Sequence, residues 1–220
     1  MIDAMGEKNG KRPQAHISGP EEPRRTPRQE RSRLTVEAIL EAAGLLLVDK
    51  GLAGASTNAI AKKAGVSIGS LYQYFPNKES IFLALLESHH EEMQPIRTKA
   101  LGDLGAGKPV GEVLGEVMRM SLAARLRNPE LMTAMHRELA GLAARHELEG
   151  APGSGGGGEA LAKILQARGD LASDQTGERA WLVITILEAV GRRMVHDPMP
   201  GMDREALIAL TVSACRGLLA

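Results

Sequence analysis

The stretch IAKKAGVSIGSLYQYFPNK, residues 60–78, holds three of the five aromatic residues in a chain of 220. Tyr72, Tyr74 and Phe75 fall within four positions of one another, and Phe82 follows within a few residues. A chain this poor in aromatics does not build its core from them, so their concentration needs another reason. Ser56 is a plausible N-cap, and Ile60, Ala61 and Ala64 give a short helix a face small enough for close packing. Gly65 supplies a turn conformation at little steric cost, Val66 anchors the turn, and Ser67 caps a second short helix. Leu71 and Phe75, four apart, face inward. Two short helices around a turn glycine, with small residues and apolar anchors at these positions, make a helix-turn-helix.

The second helix then exposes Ser67, Gly69, Ser70, Tyr72, Gln73 and Tyr74, none of them acidic. Insertion into a major groove asks for this inventory: an amide for base edges, hydroxyls for phosphates, glycine for close backbone approach. Lys78 stands at the start of the next helix, where its ammonium and backbone N–H groups can hold a phosphate together. Tyr72 and Tyr74 read as phosphate-contacting residues and Phe75 as core.

Outward from this unit the pattern stays helical. Val36, Ile39, Leu40, Ala43, Leu46 and Leu47 recur at helical spacing, and Gly51 stands where a left-handed cap would end that helix. Asn77 caps a helix carrying Phe82, Leu85, Leu86 and Met93, with breaks expected at Pro95, over 102–109 and at Asn128-Pro129. The run 153–158, GSGGGG, is expected to be a flexible connection; it follows no strand, which excludes a dinucleotide-binding loop. Residues 178–196 are apolar almost all round, and Asp203 can cap the last helix. No segment carries a period-2 strand pattern. The expectation is an all-α chain of roughly nine helices.

A hydrophobic content of 43% fits a globular protein, and the formal net charge is zero. Charge is distributed unevenly: residues 1–80 carry 12 Lys and Arg against 9 Asp and Glu, with an excess around Arg24, Arg25, Arg28, Arg31 and Arg33. Residues 1–30, rich in Gly, Pro and charge, read as a disordered basic arm. Cys215 is the only cysteine, so no intrachain disulfide forms, and its apolar surroundings read as packing. No apolar run approaches the ~18–20 residues of a membrane span. A cytoplasmic protein is expected.

At AGVSIGSLYQYFPNKESIF the chain resembles the recognition region of the TetR family of transcriptional regulators, and the resemblance extends over residues 31–92. It implies a nine-helix architecture with a helix-turn-helix DNA-binding domain over 31–92, the motif itself near 56–75, and a C-terminal ligand-binding and dimerisation domain over 93–220. By motif position, the DNA-contacting residues are expected to be Ser56, Thr57, Ser67, Gly69, Ser70, Tyr72, Gln73, Tyr74 and Lys78. The implied function is a homodimeric regulator, a repressor that binds a palindromic operator and is released by a small-molecule effector. The glycine-rich run 153–158 departs from the family's usual plan.

In the C-terminal part, Met93, Met118, Met132 and Met135 serve as core filler or line a pliable ligand pocket, with His136 as a polar group in it. His89-His90-Glu91-Glu92 lacks metal-ligand spacing, because adjacent helical residues point about 100° apart. No metal, cofactor or catalytic constellation is expected. Residues 180–190 and 206–214 are apolar on more than one face, more than a helix packed only within its own subunit needs. They imply a two-fold dimer interface carrying Trp181, Ile184, Leu187, Leu207, Leu210 and Ala214. The competing reading is a small-molecule-binding or scaffold helical protein without sequence-specific DNA binding.

Overall fold

The computed structural model describes residues 27–146, 156–169 and 175–219. Among these residues there are nine α-helices and no strand. They are α1 (Pro27–Gly54), α2 (Thr57–Ala64), α3 (Ile68–Tyr74), α4 (Lys78–Gly105), α5 (Val110–Leu126), α6 (Pro129–Arg145), α7 (Gly156–Arg168), α8 (Thr176–His196) and α9 (Arg204–Leu218). Most of the expected caps form. Asn77 accepts the Ser80 N–H at 2.8 Å and Asp203 accepts those of Glu205 and Ala206; Asn128, expected only as part of a break, also caps, accepting the Leu131 N–H at 3.1 Å. Among the described residues no helix is long and apolar enough to cross a membrane.

Four expectations change. α1 begins at Pro27, so residues 27–30 belong to a helix rather than to the arm; the remainder of the arm, residues 1–26, lies outside the described residues. Gly51 has the expected positive φ of 65°, but its ψ of 177° is extended, so it breaks α1 without forming a left-handed cap. Pro95 does not end its helix: α4 runs through it, and with Pro95 exposed the carbonyl it leaves unpaired can turn to water. Of the run expected to be a flexible link, Gly156, Gly157 and Gly158 form the first turn of α7, while residues 153–155 lie outside the described residues. A Cβ on Gly158 would come within 3.2 Å of the Trp181 backbone, so glycine is what lets α7 lie flush on α8.

The buried residues form two cores. The first joins α1, α2, α3 and the start of α4 through Ile39, Leu47, Ile60, Leu71 and Phe82, and draws in Met132, Met135, Leu139 and Leu142 of α6. The second joins the end of α4 to α5, α7, α8 and α9 through Leu104, Val113, Leu165, Val183 and Ile208. The domain boundary expected at 92/93 falls inside α4, which runs through both cores. The helix-turn-helix is therefore seated on a core that a C-terminal helix helps to close.

Candidate nucleic-acid interface

The interface is built from two capped helices and one tight turn. The Ser56 hydroxyl accepts the Ala59 N–H at 3.2 Å and starts α2. Gly65 (φ 70°, ψ 23°) closes it, with the Gly65 and Val66 N–H groups returning to Lys62 and Ala61 carbonyls at 3.3 and 3.0 Å. A Cβ at position 65 would meet nothing within 4 Å, so the left-handed backbone demands glycine here and space does not. Ser67 accepts the Ser70 N–H at 2.9 Å, and the two hydroxyls lie 2.8 Å apart. Leu71 and Phe75 are buried and pin α3 to the first core.

With one side of α3 pinned, Gly69, Tyr72 and Gln73 are left facing outward. Tyr72 is half-exposed at 51%, and its hydroxyl lies 3.2 Å from Thr57 Oγ1, tying the exposed edge of α3 to the start of α2. A Cβ on Gly69 would touch only Ser67 Oγ, at 3.8 Å, so the backbone there is open to close approach. Residues 50–78 contain Lys50, Lys62, Lys63 and Lys78 and no Asp or Glu. Such a segment attracts a polyanion and repels no part of it.

Seven of the nine expected contact residues cluster at this edge; two turn away from it. Tyr74 is half-buried against the first core, and its hydroxyl donates to Ser32 Oγ of α1 at 3.4 Å, so it braces α3 on α1. Lys78 donates from Nζ to the Leu52 carbonyl at 2.9 Å, so its ammonium ties α4 to the break in α1 instead of standing free for a phosphate. Sequence reasoning left Lys62 and Lys63 unassigned. Both are exposed in the last turn of α2, and their adjacency to the turn glycine was the signal.

The structure divides the expected pocket residues. Met132 and Met135 are buried in the first core and Met118 in the second, while Met93 is buried on α4 between the two. His136 instead stacks on His196, ring centroids 4.9 Å apart and planes within 2°. A surface cleft beside α6, lined by Val48, Pro129, Glu130, Thr133, Ala134 and Arg137, includes none of these methionines.

Of the expected dimer residues, Leu210 and Ala214 of α9 and Trp181 of α8 are exposed, Leu210 at 68% and Trp181 at 49%, and Leu182, next to Trp181 in α8, is exposed as well. Ile184 and Leu207 are half-buried against the second core. Leu187 is buried within it, a correction, because its face of α8 turns inward.

Residues 33–85 match the model of the bacterial regulatory proteins, tetR family. The chain is 40% identical over 72 residues to the HTH-type transcriptional regulator YvkB of Bacillus subtilis, covering 33% of this chain and 38% of that protein. It is 41% identical over 59 residues to the nucleoid occlusion factor SlmA of Haemophilus ducreyi, covering 27% of this chain and 28% of the relative. These alignments span well under half of the relatives' lengths. Over the whole fold, the chain superposes on a TetR-family transcriptional regulator from Mesorhizobium loti with a TM-score of 0.64 and 21% identity, covering 86% of this chain and 96% of the other.

Proposed function

We propose, because residues 33–85 match the tetR family of bacterial regulatory proteins, that the chain is a DNA-binding transcriptional repressor of that family working as a homodimer in the cytoplasm. A family of regulatory proteins places it outside the enzymes. The observation that carries the reading is the outward row Gly69, Tyr72 and Gln73 on α3, in a segment with four lysines and no carboxylate. Gln73 reads a base edge, while the Thr57–Tyr72 pair and the exposed Lys62 and Lys63 hold phosphates.

Dimerisation uses the exposed apolar faces of α8 and α9 around Trp181, Leu182 and Leu210. A two-fold axis there would present two α3 helices to successive major grooves about 34 Å apart, matching a palindromic operator. A small-molecule effector then favours a dimer whose two α3 helices are wrongly spaced, and the operator is released. Selection of bound genomic fragments by the purified protein tests this. Enrichment of a palindrome supports it; recovery of random fragments in proportion to their length supports a helical protein without sequence-specific binding.

A further inference from the structure

The two apolar cores do not meet along α4. Between Leu86, which packs on the first, and Ala100, which packs on the second, α4 carries the half-buried His89, His90 and Arg97. Neighbouring helices bring further polar groups within electrostatic reach of one another: Arg125 from α5, His136 from α6, and Glu188, Arg192 and His196 from α8. The charges of Arg97, Arg125 and Arg192 all act on Glu188, whose pKa burial raises against their pull. The shortest of these contacts among the described residues is loose, Arg192 Nη1 to Glu188 Oε2 at 3.7 Å. Glu92, 58% exposed, stands at the rim near Arg127 and His89. Three guanidiniums thus share one inward carboxylate.

Two polar atoms in this layer are buried with no hydrogen-bond partner, Arg125 Nε and His90 Nδ1. Arg125 is desolvated and repelled by Arg192 and Arg97. His196 does have a partner: Thr133 donates its hydroxyl proton to the Pro129 carbonyl at 2.8 Å, so it accepts from His196 Nδ1 at 3.0 Å. A half-buried guanidinium whose buried Nε is unpaired, and which shares one carboxylate with two other guanidiniums, is costly unless a further anion completes the site.

We propose that this cationic layer is the effector site, and that it takes a small amphiphilic anion: a carboxylate or phosphate head seated on Arg125, with Arg97 and Arg192 flanking it. The fork of a guanidinium matches both heads bidentately, and Arg125 Nε offers an unused donor on that fork. The body of the molecule would pack against the apolar residues that border the layer, Met93 of α4 among them. Glu188 competes with the ligand for the same arginines. The anion acts on DNA binding through α4, shared by both cores, and α6, where His136 lies two residues from the Glu138 that holds Leu52. That last effect rests on the repressor reading above; binding itself does not.

The test melts the purified full-length chain at constant ionic strength in sodium chloride, adding sodium octanoate, octyl phosphate or neutral octanol. A saturable rise in melting temperature with either anion and none with octanol is expected, and the anion that acts identifies the head group. Arg125→Met should weaken that binding at least tenfold, and Glu188→Gln should tighten it by roughly the same factor by removing the competing carboxylate. No response to either anion, an equal response to octanol, or wild-type affinity in Arg125→Met overturns the proposal. If Arg125→Met does not fold, unchanged affinity in Glu188→Gln overturns it instead. Operator binding measured without additives separately reads the repressor assignment, so one can fail while the other stands.

Discussion

Glu138 of α6 reaches across 86 positions of sequence to accept the Leu52 N–H at 3.2 Å, where α1 breaks. The Leu52 carbonyl accepts from Lys78 Nζ at 2.9 Å, so one peptide segment is held by a C-terminal helix on one side and by the start of α4 on the other. Gly51 makes the approach possible: its φ is 65°, and a Cβ there would lie 3.1 Å from Glu138 Oε2. Arg137 Nε, 2.8 Å from Glu138, and the Leu52 N–H together hold the carboxyl below its usual pKa.

Glu138→Ala should therefore lower stability, because it leaves the part-buried Leu52 N–H without its acceptor. Gly51→Ala should cost more, since it combines a positive φ with a clash. Denaturant melts of both variants check the order. Equal stability of Glu138→Ala and wild type would show that the link contributes nothing.

Gln73→Ala should weaken operator binding and relax preference at one base pair per half-site, by about 1–3 kcal/mol. Competition across single-base operator variants measures this. An unaltered preference profile assigns Gln73 no reading role.

Lys62→Ala and Lys63→Ala should each lower affinity for operator and nonspecific DNA alike and flatten the salt dependence by about one unit of slope, as phosphate contacts do. Lys78→Ala, whose ammonium is engaged with Leu52, should lower thermal stability more than it alters that slope. Binding titrations at several salt concentrations, beside melting curves, separate the two behaviours.

Stability should fall as the medium is acidified through the histidine range. Burial, then the charges of Arg125, His90, Arg97 and Arg127, depress the pKa of His89 to about 4. Above pH 6.5 it is neutral folded and unfolded. Between about 6.5 and 4 the unfolded chain takes up a proton that the folded chain refuses, so stability declines by up to about 3 kcal/mol from this residue. His90, His136 and His196, also depressed by burial, act in the same direction. Glu188, raised by burial, opposes them. Denaturation at pH 7, 6 and 5 should show the decline, and His89→Gln should flatten it; parallel pH profiles for the two proteins would contradict the assignment.

Leu210→Asp, at a 68% exposed apolar position on α9, should yield a folded monomer with weakened operator binding. Sedimentation velocity at low micromolar concentration reports it. A wild-type chain that sediments at 23.4 kDa and still binds a palindrome tightly would rule out the α8–α9 dimer.

What the sequence determined by itself was local. Caps, turn glycine and apolar spacing act within a few residues, so Ser56, Gly65, Ser67, Leu71, Asn77 and Asp203 could be assigned their backbone roles before any packing was known, and all of them hold those roles. The outward row on α3 was legible for the same reason, because helical period and two buried anchors leave only one side of so short a helix free. Only tertiary structure decided what distant segments do to one another. A tyrosine at the helix end reads as exposed until α1 supplies Ser32 beside it, a lysine at an N-terminus reads as a phosphate ligand until Leu52 turns its carbonyl toward it, and a glycine run reads as a linker until a neighbouring backbone demands its missing Cβ. The cationic layer was hidden for the same reason: its arginines stand on α4, α5 and α8, nearly 100 residues apart, and desolvation is a property of the packed interior that no spacing in the chain encodes.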